Sequence, residues 1–348
     1  MSDYIYFPII KTRDAELRCF DHLSEDVENN ILPIYELTKS RITKKAPDGD
    51  IHRRMKRIGD IQGNRPFILD LCTSPKYLNP QIEQLLNPFD GFSEWRYFLN
   101  LFTDMNIIPM IHIYEDDEGS FKEVEKFIRI QSQTSNMLAV RFPYNLESGD
   151  YEYYLGPIID NLSDDANLIV ILDADYIRYE DKDNVITNFI DSSQEILNLD
   201  HINEVVIACT SFPSNPAKEG NSDSDGEFSI DEEIIYQEVS NEIDVKYGDY
   251  ASINTEQIEI KGGTFVPRID ISLTDRFIYK RYRRDDGSYP RCARNMRADR
   301  KYRNLHTWAD EQILLASQDA PQGISPSFWI SVRMVYYIHT RVNLRLSE

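Results

Sequence analysis

Leu168–Asp173 reads LIVILD, five apolar residues followed by a carboxylate. A run this short and continuous suits a strand covered on both faces, as in a parallel sheet packed by helices. Seven other stretches share the form: Tyr4–Ile10 (YIYFPII), Ile31–Leu37 (ILPIYEL), Phe67–Leu71 (FILDL), Ile108–Ile113 (IPMIHI), Leu138–Phe142 (LAVRF), Val205–Cys209 (VVIAC) and Val245–Tyr250 (VKYGDY). The spacers between them suit helices. Asp14 stands where it can cap AELRCFDHL, Glu118–Gln133 carries Phe121, Val124, Phe127, Ile128 and Ile130, and Asp183–Leu199 carries a similar stripe. Eight alternating β and α units with right-handed crossovers predict an α/β chain closed as a (β/α)8 TIM-like barrel, with a doubly wound open sheet as the alternative.

Three segments follow from this reading: barrel strands and helices over 1–250, a β-ribbon and basic insertion over 251–305 after the eighth strand, and C-terminal helices closing the barrel over 306–348. Thr264–Leu273 and Arg276–Tyr282 alternate as an antiparallel ribbon would. Ser325-Pro326 supplies a helix start, with Trp329, Val332, Tyr336, His339 and Val342 at helical spacing behind it. Ser211–Glu233, rich in Ser, Gly and acids, reads as a mobile solvated loop.

Composition narrows the function classes. The chain has 348 residues, 38 Lys or Arg and 59 Asp or Glu, a net charge of −21. A bulk non-specific DNA binder would normally be basic. Four cysteines without CxxC spacing, and no basic leader ahead of MSDYIYFPIIKTRDAE, suggest a reduced cytoplasmic protein. No apolar run approaches the roughly 20 residues of a spanning helix, so no membrane partner is expected. Walker A, GxGxxG, HExxH and Gly-x-Ser-x-Gly patterns are all absent.

Chemistry gathers instead at strand ends. Lys11, Glu36, Asp70, His112, Arg141, Asp173, Ser211, Tyr247 and Asp249 each lie at or near the C-terminal end of a predicted strand. In a (β/α)8 barrel these ends share one mouth. Glu36, Asp70 and Asp173 are candidate bases or ligands for Mg²⁺ or Mn²⁺, Lys11 and Arg141 candidate phosphate neutralisers, and His112 a candidate acid. Ser211, Tyr247 and Asp249 complete the candidate binding set with Arg141. The competing reading is plain: strand ends reach solvent, and Glu36 with Lys11 or Asp173 with Arg141 form structural ion pairs.

Between Arg268 and Arg303 the charge reverses, twelve Lys or Arg against five Asp, a local +7 that leaves −28 elsewhere. Tyrosines interleave, so the segment can grip phosphate and stack on bases. It can equally pair with acids of its own chain or of a neighbouring copy in a homo-oligomer.

The stretches YFPIIKTRDAE, ILPIYEL, ILDL, VVIACTSFP and KYGDYA, with a late Trp before a terminal helix, resemble the phage and bacterial "beta family" proteins. The matching positions are Lys11, Glu16, Glu36, Asp70, Ser211, Pro213, Tyr247, Gly248 and Asp249. The resemblance implies a barrel-like α/β fold and a phage or mobile-element setting, with a role in phage–host conflict such as antiphage defence. It transfers no active site. Two functions stay open. One is a barrel whose rim binds a phosphate-bearing ligand (a nucleotide or nucleic-acid end), with phosphoester hydrolysis as its extension. The other is a non-catalytic interaction protein using the ribbon and basic segment to hold a phage or host protein.

Overall fold

A computed structural model describes residues 4–44, 47–255 and 265–347. The ribbon residue Thr264 lies outside them. Eleven strands are present among the described residues: β1 Tyr6–Lys11, β2 Ile34–Leu37, β3 Phe67–Leu71, β4 Ile107–Ile111, β5 Met137–Pro143, β6 Asn167–Tyr176, β7 Ile202–Thr210, β8 Asp225–Ser229, β9 Lys246–Asp249, β10 Arg268–Ser272 and β11 Arg276–Arg281. β1 to β7 and β9 form a closed parallel barrel. Closure is decided at β1, which pairs in parallel with β2 on one side (Ile9 opposite Ile34) and β9 on the other (Tyr6 opposite Tyr247). Helices alternate with the barrel strands, and the closure removes the open-sheet alternative.

Each strand alternates between two apolar environments. Phe7, Ile9, Ile34, Ile68, Ala139, Ile169, Ile171, Val206 and Ala208 fill the barrel interior. Tyr6, Ile10, Tyr35, Leu37, Leu69, Val140, Val170, Leu172 and Ile207 pack outward against the helices. Both faces are therefore dry, which is why the sequence runs read as continuous rather than alternating. Gly248 sits where the interior leaves little room for a side chain: a Cβ there would come 2.9 Å from Val206 Cγ1 and 3.2 Å from Ala208 Cβ.

The stretch after β7 is ordered, contrary to the expectation of a mobile loop. It holds the short helix Pro216–Glu219, then β8, then the first turn of helix Asp231–Glu242. β8 joins the expected ribbon as a third antiparallel strand, in the order β10-β11-β8. Its acids find partners far along the chain. Glu233 accepts from Arg341 at 2.6 Å and Arg345 at 3.0 Å, both on the terminal helix Pro326–Arg345, and Asp231 pairs with Lys182 at 2.7 Å. Such buried charges persist because they are paired.

Candidate active site at the barrel mouth

Inward phase sets the mouth. Two residues beyond Ile9, Ile34, Ile68, Ala139 and Ile171 come Lys11, Glu36, Asp70, Arg141 and Asp173, all on the interior side of their strands. Arg141 stands at the centre. Its Nη1 donates to Glu36 Oε1 at 2.8 Å and Asp70 Oδ2 at 3.1 Å, while Nε and Nη2 donate to Asp173 Oδ2 at 2.9 and 2.6 Å. The Tyr250 hydroxyl accepts from Arg141 Nη2 at 2.7 Å and donates to Asp173 Oδ2 at 2.6 Å. Lys11 Nζ lies 2.8 Å from the other Glu36 oxygen, Oε2.

The electrostatics separate the acids. Burial pushes Glu36 up, but Arg141 and Lys11 together outweigh it and hold this carboxyl at about 2. Burial also pushes Asp70 up, and here the pull of Arg141 is too small to offset it once Glu36 repels, leaving about 6. Burial works against the Lys11 ammonium, and Glu36 more than restores it. With every group ionised the cluster holds three carboxylates against two cations. A proton on Asp70 makes it neutral, so this is the mouth's protonatable carboxyl. A guanidinium occupies the space between the acids where a cation would have to sit. Among the described residues no group of three or more His, Cys, Asp or Glu side chains is arranged to hold a metal ion. The cluster does not fit the Mg²⁺ or Mn²⁺ expectation.

Beside the mouth lies a cavity of about 600 Å³, walled by the βα loops, the ribbon and the terminal helix. Its charged lining is Lys11, Arg13, Lys76, Arg268 and Arg333 against Asp270 alone. Arg268 Nε pairs with Asp270 at 2.6 Å and Arg333 Nη1 at 3.2 Å, so one carboxylate serves two guanidiniums. Lys76 has no carboxylate partner among the described residues. Lys11 belongs to both the cavity and the rim cluster.

A family model described as Beta protein matches residues 6–343. The chain belongs to the Beta protein family. It is 26% identical over 350 residues, covering 99% of this chain and 94% of the relative, to Protein beta of Enterobacteria phage P4. No solved structure matches.

In this Beta protein family chain, four predicted site residues lie away from the mouth. The His112 ring packs against Phe92 and Trp95 of helix Phe89–Asn100, at 6.2 and 5.7 Å between centroids. Its Nε2 is buried without a hydrogen-bond partner, and desolvation lowers its pKa to about 4. It stands as a half-buried ring packed on aromatic neighbours, with burial favouring its neutral form. Ser211, Tyr247 and Asp249 join an outer-layer network instead. Tyr6, Tyr247 and Tyr337 donate to Asp249 at 2.5, 2.6 and 2.6 Å, and Glu232 accepts from the Ser211 backbone N–H at 2.9 Å and from its hydroxyl. Burial, reinforced by Asp249, raises Glu232 to about 7. These residues tie β1, β9 and the terminal helix together behind the barrel wall.

Sequence reasoning missed Tyr250 and most of the cavity. Tyr250 was detectable: it lies two residues past the interior Gly248. Arg13, Lys76, Arg268 and Arg333 come from four separate stretches, and no local pattern links them.

The basic segment is largely spent within the chain. Arg276 and Lys301 pair with Glu227, Arg281 and Arg283 with Asp223, Lys280 with Asp299 and Asp225, Arg291 with Asp286 and Arg294 with Asp319. Among the described residues no helix is long and apolar enough to cross a membrane.

Proposed function

We propose that this Beta protein family member binds a phosphate-bearing ligand in the cavity beside the barrel mouth. One observation carries the reading: five cationic side chains and one carboxylate share the lining of a 600 Å³ space in a chain of net charge −21. Four of the five already have a carboxylate, Lys11 with Glu36, Arg13 with Glu16, and Arg268 and Arg333 sharing Asp270, so Lys76 and the two guanidiniums that share one acid are the positive charge left for an anion. The volume falls within the range of small-molecule sites. Glu36, Asp70 and Asp173 do not line the cavity and are held around Arg141. The reading is therefore one of binding, with Lys11 coupling the bound anion to the rim acids. The likeness to a phage protein supports a phage or mobile-element setting for it. The partner-protein alternative draws less support from the basic segment, most of whose charges are paired within the chain.

The test is a calorimetric titration of the full chain with inorganic pyrophosphate at low and moderate salt. Binding that weakens with salt, and weakens further in Lys76→Glu, supports the proposal. Heats indistinguishable from dilution up to millimolar pyrophosphate would defeat it.

A further inference from the structure

The cavity is not uniformly cationic. Asn254 and Thr255, just past β9, line it together with the aromatic residues Tyr77, Phe212, Phe265 and Trp329. The Asn254 amide is fixed: its Nδ2 donates to the Phe212 carbonyl at 2.8 Å, so Oδ1 is the acceptor left over. That Oδ1 and the Thr255 hydroxyl are both buried without a hydrogen-bond partner. Buried polar groups are nearly always partnered in folded proteins, so two adjacent ones in the lining of one cavity take their partners from its contents, water or a ligand. A neutral N–H or O–H group of a ligand meets the Asn254 oxygen better than a phosphate oxygen, most of which only accept. A ligand that carries a hydrogen-bond donor as well as negative charge suits both halves of this lining. Phe265 is 39% exposed and keeps surface open for a planar group, while the Tyr77 ring carries Arg13 and Lys76 over it at 5.4 and 5.5 Å from its centroid. Stacking on such rings is tolerant of which base is presented.

We infer that the cavity is a bipartite site for a nucleoside phosphate, with the phosphate among Lys11, Arg13, Lys76 and Arg268 and the nucleoside's donor groups on Asn254 and Thr255. This rests on the phosphate-ligand reading above and deepens it. The amide orientation predicts a base or sugar group that donates, and the aromatic walls predict a base rather than a bare sugar.

The experiment compares dissociation constants of the full chain for pyrophosphate, ribose 5-phosphate and the four ribonucleoside monophosphates. The inference predicts that at least one nucleotide binds ten-fold or more tighter than both other probes. It further predicts that Thr255→Val, which keeps the shape and removes the hydroxyl, erodes that advantage several-fold while pyrophosphate affinity stays within two-fold. A far-UV circular dichroism melt matching the parent shows that the variant folds. If pyrophosphate binds as tightly as any nucleotide, the nucleoside half is wrong and the phosphate reading survives. If ribose 5-phosphate matches the nucleotides, the base is not recognised and the inference is overturned. If no probe binds, both readings fall together.

Discussion

Replacing Arg141 with Met removes the guanidinium that three carboxylates share while leaving most of the side-chain volume. Glu36 keeps Lys11, 2.8 Å from its second oxygen, but Asp70 loses its cation and Asp173 keeps the Tyr250 hydroxyl and the Asp175 backbone N–H with no cation. Removing one partner of a buried ion pair typically costs about 3–5 kcal/mol, because the survivor is left charged in a poor solvent. The Arg141 side chain is 21% exposed, which places the expected loss toward the lower end of that range. For 348 residues the unfolding entropy is roughly 0.7 kcal/mol per degree, so the melting temperature should fall by about 4–7 °C at most. The loss also has a pH signature. Without Arg141 the Asp70 carboxyl, which burial already raises to about 6, rises further above its unfolded value. Stability of the variant is then greatest where Asp70 is protonated and declines as pH rises through its raised value. The deficit should be largest at pH 8 and shrink below pH 6. Urea unfolding of parent and variant at pH 5.5 and 8 measures it. Equal stability at pH 8, or a deficit that grows toward acid, would refute the reasoning that Arg141 neutralises the mouth.

Three further outcomes follow from other sites. Burial raises Glu232 above its unfolded pKa to about 7, so it contributes stability that is present in acid and lost as pH climbs from about 4.5 to 7; Glu232→Gln should flatten that slope and exceed the parent by ~3 kcal/mol at pH 8, and superimposable urea midpoints from pH 5 to 8 would count against it. Gly248→Ala drives a methyl against Val206 and Ala208 and should cost about 1–3 kcal/mol by chemical denaturation, whereas an unchanged midpoint would mean the interior yields freely. His112 should show no imidazole titration between pH 5.5 and 8 by NMR, and a midpoint near 6.5 would contradict its place in the dry aromatic layer.

The barrel was legible because strands buried on both faces must be short and apolar throughout, and eight such runs are hard to arrange except as a ring. The core of the rim was legible for a related reason. Lys11, Glu36, Asp70, Arg141 and Asp173 continue the inward phase of the apolar residues two positions before them. Asp249 breaks that phase, since Gly248 and Tyr250 point inward, and it faces out to three tyrosines. His112 keeps the interior phase on paper, but its strand ends at Ile111 and the ring goes to Phe92 and Trp95. The acidic stretch after β7 looked solvated because its partners, Arg341 and Arg345, are over a hundred residues away. Composition reports the charge of a segment and carries no information about what it will meet.

The cavity beside the mouth bears the functional account, and a crystal structure of the full chain grown with a nucleoside monophosphate interrogates it most directly. The account predicts the phosphate among Lys11, Arg13, Lys76 and Arg268, with a donor of the nucleoside on the Asn254 oxygen. Well-ordered nucleotide bound elsewhere on the molecule, with that cavity holding only water, would contradict it.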